Sequence, residues 1–270
     1  MTLNVSLRVP DGIVMASDSL STLTQPVNQR MTVSGKCDKC GESVEIRDVQ
    51  TPPMSIPSST WPYAQKLFPI QGRFGLATYG MAFVNERSIY NHVIELAPNL
   101  PQPKSGTDQF EALADFIGAY FQKELENQLN SSGLSVALQP DEWCPLGFQF
   151  VGFSKPQAAA PISKTRLIQT GKAVRAQTFE KIGCTISGDT AVAQMLFQQA
   201  NWASFSLQDA IDYAKFLIRT TSDFQRFSGK MPTVGGDIDI SLLTHHRGFQ
   251  WIAQKELYRT LERTEVPLTV

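Results

Sequence analysis

The first eighteen residues constrain the fold more than any other stretch. Leu3, Val5, Leu7 and Val9 alternate with Asn4, Ser6 and Arg8, the two-residue period of a strand. Pro10-Asp11-Gly12 is turn chemistry, and residues 13–16 form a second apolar run that ends at Ser17-Asp18-Ser19. The pattern predicts a β-hairpin in which Thr2 faces the region of Ser19 and Leu20. Asp18 then lies within the roughly 5–8 Å reach of a diagonal cross-strand neighbour. Arg8, Asp11 and Asp18 interrupt every apolar segment here, so neither a signal peptide nor a leader ahead of the strand is expected.

Residues 20–63 change character, being rich in Ser, Thr, Pro and Gly. They read as an insertion with local structure of its own, inside a single domain spanning 1–270. Strands are expected at 66–70 and 73–79, and a helix at 83–97 that Pro98 ends. The clearest helix runs from 107 to about 129, with Phe110, Leu113, Ile117, Phe121 and Leu125 on one face and Thr107 as N-cap. Strands follow at 147–153, 164–169 and 182–187. Two further helices are expected, one opened by Asp189 and one by the capping box of Ser206 and Asp209. A strand pair at 237–244 and 249–253 closes the pattern. Grouped strands and grouped helices imply an α+β layout with antiparallel sheets.

Composition narrows the function classes. Lys and Arg total 24 against 25 Asp and Glu, so no field for a polyanion such as nucleic acid is built in. No run approaches the ~18 apolar residues of a membrane helix. Charged residues are 18% of the chain, below the roughly 25% of an average domain. That scarcity points to surface covered by other subunits. Four cysteines in 270 residues make no disulfide framework, and a cytoplasmic location is expected.

Thr2 carries the first chemical candidate. If Met1 is removed, Thr2 has both a hydroxyl and a free α-amine. An α-amine titrates near 7.7–8.0, so it can act as general base for its own hydroxyl. Asp18 is placed to orient a cation, and Lys66 at the start of the next strand is the candidate; a lysine beside a hydroxyl lowers the cost of forming an alkoxide. Asp and Lys at strand ends are common, so spacing alone leaves a purely structural role open.

Thr2, the run from Asp11 to Asp18-Ser19, Lys66-Leu-Phe-Pro-Ile and Thr78-Tyr79-Gly80 together resemble the proteasome β-subunit family of N-terminal-nucleophile hydrolases, of the bacterial homologue type. Sixteen positions separate Thr2 from Asp18, and fourteen separate Lys66 from Gly80, both matching that family's spacing. Ser187-Gly188-Asp189 and Gly235-Gly236 resemble its later motifs. The resemblance implies a four-layer αββα sandwich and a threonine-type peptidase or amidohydrolase without a catalytic cofactor. Thr2 would be nucleophile and its amine the base, Lys66 and Asp18 would tune the hydroxyl, Gly80 N–H would bind the oxyanion, and Ser187 would position the amine. The implied partners are peptide or protein substrates, further copies of the chain in a ring or stack, and an unfoldase. The alternatives are a catalytically silent scaffold subunit, or an acyl-transferase or ligase using the same Thr2 chemistry. Three positions depart from the family: Met231 and Val234 stand where it carries Asp and Ser, and Leu20 where it carries Arg. Thr233 supplies a nearby hydroxyl, but no carboxylate is evident beside it in sequence. With Met1 in place, Thr2 has no free amine.

Cys37 and Cys40 have the spacing of a zinc half-site. Cys144, Cys184, His92, His245 or His246 would have to complete it, unless a second chain shares the ion; a redox dithiol and a turn with free thiols stay open. His245-His246 reads as a surface hairpin. Asp237 and Asp239 share a strand face that can hold a metal but is more simply solvated.

Overall fold

The computed structural model describes residues 2–27, 30–36, 39–41, 43–50, 54–102, 108–154, 161–196, 200–229 and 231–255. In chain order the strands and helices are β1 (Leu3–Val9), β2 (Gly12–Asp18), β3 (Ser21–Val27), β4 (Arg30–Lys36), β5 (Ser43–Gln50), β6 (Met54–Trp61), β7 (Leu67–Ile70), β8 (Phe74–Gly80), β9 (Phe83–Val84), β10 (Arg87–Ser88), α1 (Ile89–Leu96) and α2 (Gln109–Ser131). They continue with β11 (Leu146–Ser154), β12 (Ile162–Thr170), β13 (Arg175–Phe179), β14 (Gly183–Gly188), α3 (Ala191–Leu196), α4 (Leu207–Phe227), β15 (Ile238–Thr244) and β16 (Gly248–Ala253). The chain falls into two compact units, residues 22–61 and the remainder. In the smaller unit β3 pairs with β6, and β4 pairs antiparallel with β5.

Two five-stranded antiparallel sheets form the larger unit, ordered β14-β1-β2-β15-β16 and β13-β12-β11-β8-β7. The architecture is thus mixed α and β built on antiparallel sheets. The hairpin forms in the expected register, with Asn4 opposite Ser17 and Val9 opposite Gly12. Its alternation has an unexpected meaning, because every residue of both strands is buried. Leu3, Val5 and Leu7 join Val14, Ala16 and Ile240 against Ala210, Ile211, Ala214, Leu217 and Ile218 of α4. Each fully buried aliphatic side chain there contributes about 1.5–3 kcal/mol. On the second sheet, Phe110, Ile117 and Phe121 of α2 pack on Phe74, Phe148 and Phe150. The ring centroids of Phe121 and Phe148 lie 4.4 Å apart.

Between the sheets one half is apolar and the other polar. Ile13, Met15 and Leu243 of the first sheet meet Leu67, Ala77 and Val151. On the β1 side, Ser6 Oγ lies 3.1 Å from Thr165 Oγ1, and Arg8 donates to Thr165 and Thr185 hydroxyls at 2.6 and 2.9 Å. The polar positions of β1 are therefore satisfied partly by the second sheet and partly by β14 and β2 of their own sheet, as buried polar groups must be.

Several local expectations are corrected. Residues 83–97 are not one helix: β9 and β10 form a small ladder, Ser88 Oγ accepts from Asn91 N, and α1 begins at Ile89. Thr107 lies outside the described residues, and Asp108 caps α2, its carboxylate accepting from Phe110 N. The Ser206–Asp209 capping box opens α4 as expected. Asp237 is exposed as a solvated strand face requires, but Asp239 is buried and paired with Lys255 through both its side chain and its backbone N–H.

Candidate active site

Asp18 ends β2 and is fully buried, which is costly for a carboxylate unless donors surround it. Its Oδ1 accepts Leu3 N–H at 3.0 Å and the Lys66 ammonium at 3.0 Å. Its Oδ2 accepts the N–H groups of Leu20 and Gly235, both at 3.1 Å. Lys66, 5% exposed, also donates to Leu20 O at 2.5 Å. The hairpin brings Leu3 to Asp18, and the β7–β8 pairing holds Lys66 through Thr78 N–H to Lys66 O. Burial pushes the Asp18 carboxyl above the usual range, opposed by the Lys66 charge and the Leu3 and Gly235 N–H groups. Burial pushes Lys66 below the usual lysine range, opposed by Asp18, with Lys255 adding to the lowering. Such a lysine gives up its proton at lower cost than a solvated one.

Thr2 is 3% exposed and is held from both sides. The N–H of Leu3 goes to Asp18, and the Thr2 carbonyl accepts Asp189 N–H at 2.6 Å. The second contact needs glycine at 188. Its φ is +92°, and a Cβ there would lie 1.8 Å from Thr2 O.

Asn4 ties the remaining pieces together. Its side chain donates to Thr78 O at 3.1 Å and to Ser187 Oγ at 3.4 Å, and accepts from Ser17 Oγ at 2.7 Å. It thereby links β1 to β8 two residues before Gly80, and to Ser187 on β14. Gly80 has φ +93°, and Met81 N–H donates to Pro145 O at 2.8 Å. Asp18, Lys66 and Leu3 are thus in direct contact, Ser187 is joined through Asn4, and Gly80 ends the strand that Asn4 bonds.

Residues beyond the expected set also enter. Asp189, Gln225 and Thr233 form a hydrogen-bonded cluster beside Thr2, with Thr233 Oγ1 donating to Asp189 Oδ2 at 2.7 Å. In the sequence Asn4 is only a polar position on a strand, and no spacing links Gln225 to Asp189. Gly235 also lines a cavity of about 360 Å³ against α4, with Lys215, Arg219 and Ser222.

Cys37 lies outside the described residues, while Cys40, Cys144 and Cys184 are free thiols. Among the described residues no three His, Cys, Asp or Glu side chains gather closely enough to hold a metal ion. His92 is buried and bonded to Tyr120 Oη and Val84 O. His245 and His246 sit between β15 and β16 with ring centroids 3.5 Å apart. No helix among the described residues is long and apolar enough to cross a membrane.

No family model matches the sequence, and no curated protein matches it. Solved structures match its fold. An Anbu mutant from Hyphomicrobium sp. strain MC1 superposes with a TM-score of 0.51 at 14% identity, over 96% of this chain and 90% of that one. Anbu from the same strain gives 0.50 at 13% identity, over 95% and 90%. Anbu (ancestral beta-subunit) from Yersinia bercovieri gives 0.49 at 13%, over 94% and 88%. At such identity the likeness is one of fold. It corrects the expected membership of the proteasome β-subunit family: the matching structures are Anbu proteins, proteasome-related but a distinct family.

Proposed function

We propose that this chain is an N-terminal-nucleophile amidohydrolase that cleaves peptides through an acyl-enzyme on Thr2, once Met1 is removed. The observation that carries the reading is the buried Lys66–Asp18 pair, whose carboxylate also binds the N–H of the residue after Thr2. A structural ion pair needs no such address, whereas a nucleophile must be held relative to the cation that tunes it.

In the proposed reaction Thr2 Oγ attacks the scissile carbonyl carbon as its proton passes to the Thr2 α-amine. Lys66 stabilises the developing alkoxide, and Gly80 N–H donates to the oxyanion. The α-ammonium then protonates the leaving amine as the C–N bond breaks. Water, deprotonated by the same amine, attacks the ester and returns the proton to Thr2 Oγ. An amine in place of water would make the chain a transferase or ligase. We extend the proposal to a four-layer αββα arrangement, with α4 outside the first sheet and α2 outside the second. A single domain carrying an insertion at 20–63 also belongs to it. The scarcity of charge supports a homo-oligomer, in which the sparsely charged surface would be covered.

Intact mass before and after treatment with a β-lactone tests the reading. Loss of Met1 and one adduct on Thr2 are expected. Retained Met1 with no adduct would sink it and leave the chain a silent scaffold subunit.

A further inference from the structure

Chemistry at an N-terminal threonine needs its α-amine held and charge-balanced. Met231 and Val234, ahead of the double glycine, supply neither carboxylate nor hydroxyl. The folded chain assembles both from elsewhere. Asp189 is fastened to Thr2 by its own N–H, which donates to Thr2 O at 2.6 Å. Its carboxylate Oδ2 accepts Thr233 Oγ1–H at 2.7 Å and Gln225 Nε2–H at 3.0 Å. Gln225 Oε1 in turn accepts the N–H groups of Thr233 and Val234 at 2.8 and 3.0 Å. The next residue, Gly235, gives its N–H to Asp18 at 3.1 Å. One amide on α4 therefore orients Asp189 and splints the loop that completes the Asp18 site.

Both donors address Oδ2, and Oδ1 takes neither. Asp189 is partly buried, its own N–H is bonded to the Thr2 carbonyl, and among the described residues neither Thr233 nor Gln225 takes its Oδ1, so its carboxylate suits the ammonium form of an amine on the residue it is fastened to. We propose that Asp189, oriented by Thr233 and Gln225, positions the Thr2 α-amine and sets the pH at which it serves as base. The inference rests on the Thr2 reading above. Asp189 is a positioning residue, since it acts on the reaction through the amine. Other charged groups around this end of the sheet include Asp18 on β2, Lys66 ahead of β7, Asp237 ahead of β15, Asp239 on β15 with Lys255, and Lys215, Arg219 and Asp223 of α4. The test leaves all of them intact.

The experiment follows the rate of β-lactone labelling at Thr2 against pH, in the full chain with Met1 removed. An opposite charge within about 4–6 Å favours the ammonium. Asp189→Asn is therefore expected to move the acid limb of the profile down by about one pH unit, with a lower maximum rate. Asp189→Glu should restore part of that shift. Thr233→Val keeps the carboxylate but frees its orientation, and should lower the maximum rate with a smaller shift. Superimposable midpoints across folded variants would overturn the inference alone. An unsubstituted protein that takes no label would overturn the Thr2 reading and this inference with it. If Asp189→Asn does not fold by circular dichroism, Thr233→Val carries the test, and an unchanged profile there is overturning.

Discussion

Lys66 Nζ lies 3.0 Å from Asp18 Oδ1, the oxygen that also receives Leu3 N–H, with side-chain exposures of 7% and 0%. An isolated buried pair can often be replaced by apolar side chains without loss, while breaking one partner costs about 3–5 kcal/mol. Here the carboxylate has further donors, and that changes the expectation. Lys66→Met should lose about 3–5 kcal/mol. The double variant Asp18→Leu with Lys66→Met should not recover it, because the N–H groups of Leu3 and Gly235 lose their acceptor, at about 1–3 kcal/mol each. Urea midpoints measure both, and wild-type stability in the double variant would refute the account.

Gly188 and Gly133 both have positive φ, at +92° and +69°, but differ in surroundings. A Cβ at 188 meets the Thr2 carbonyl oxygen, which is backbone and cannot swing aside, whereas one at 133 meets nothing within 4 Å. Gly133→Ala should cost about 1 kcal/mol, the ordinary left-handed penalty. Gly188→Ala should cost several times that and abolish labelling at Thr2, because the Asp189-to-Thr2 bond cannot form. Comparable melting temperatures for the two variants would contradict the geometry.

Asn4 ties β1 to three other strands through one amide, so Asn4→Leu takes a partner from the Thr78 carbonyl and from the Ser17 and Ser187 hydroxyls together, leaving Ser17 Oγ its bond to Asp18 O at 3.2 Å. Each lost partner in a buried site costs about 1–3 kcal/mol. Thermal unfolding should show a loss well beyond that of Asn91→Leu, on the exposed side of α1. A loss no larger than that control would assign Asn4 no linking role.

The hairpin was legible because strand period and turn residues are local signals, and its register follows from them. Residues 83–97 misled because their apolar content suits a helix, while Asn85 and Glu86 take positive φ and end β9 instead. Helix periodicity identified α2, but its start was set by whichever carboxylate reached the first free N–H, and Asp108 did so. The polar residues of β1 show alternation in the sequence, but alternation does not reveal that a second sheet covers the polar face. Thr2 and Asp18 close one hairpin and are linked by local spacing, whereas Lys66, ahead of β7 and separated from them by β3–β6, is singled out only by the resemblance to a known motif pattern. Asp189, Gln225 and Thr233 lie on three separate segments, and nothing local marks them as one cluster.

Cys184 on β14 faces the α4 core, and burial pushes its thiol up to about 12, only partly offset by the Arg8 charge. Thiolate is the reactive species, so at pH 8 a thiol with that value is alkylated about a thousandfold more slowly than an ordinary one. In the native protein iodoacetamide should modify exposed Cys40 well before Cys184. The same shift has a stability consequence. The folded state keeps the Cys184 proton that the unfolded chain releases from about pH 9 upward, so stability present below pH 9 is lost as pH rises toward 12. The loss has a limiting slope of about 1.4 kcal/mol per pH unit. Cys184→Ala removes this titration, so the difference in urea midpoint between wild type and variant should narrow across that range. A difference independent of pH, or modification of Cys184 as fast as Cys40, would show that the thiol is not buried as described.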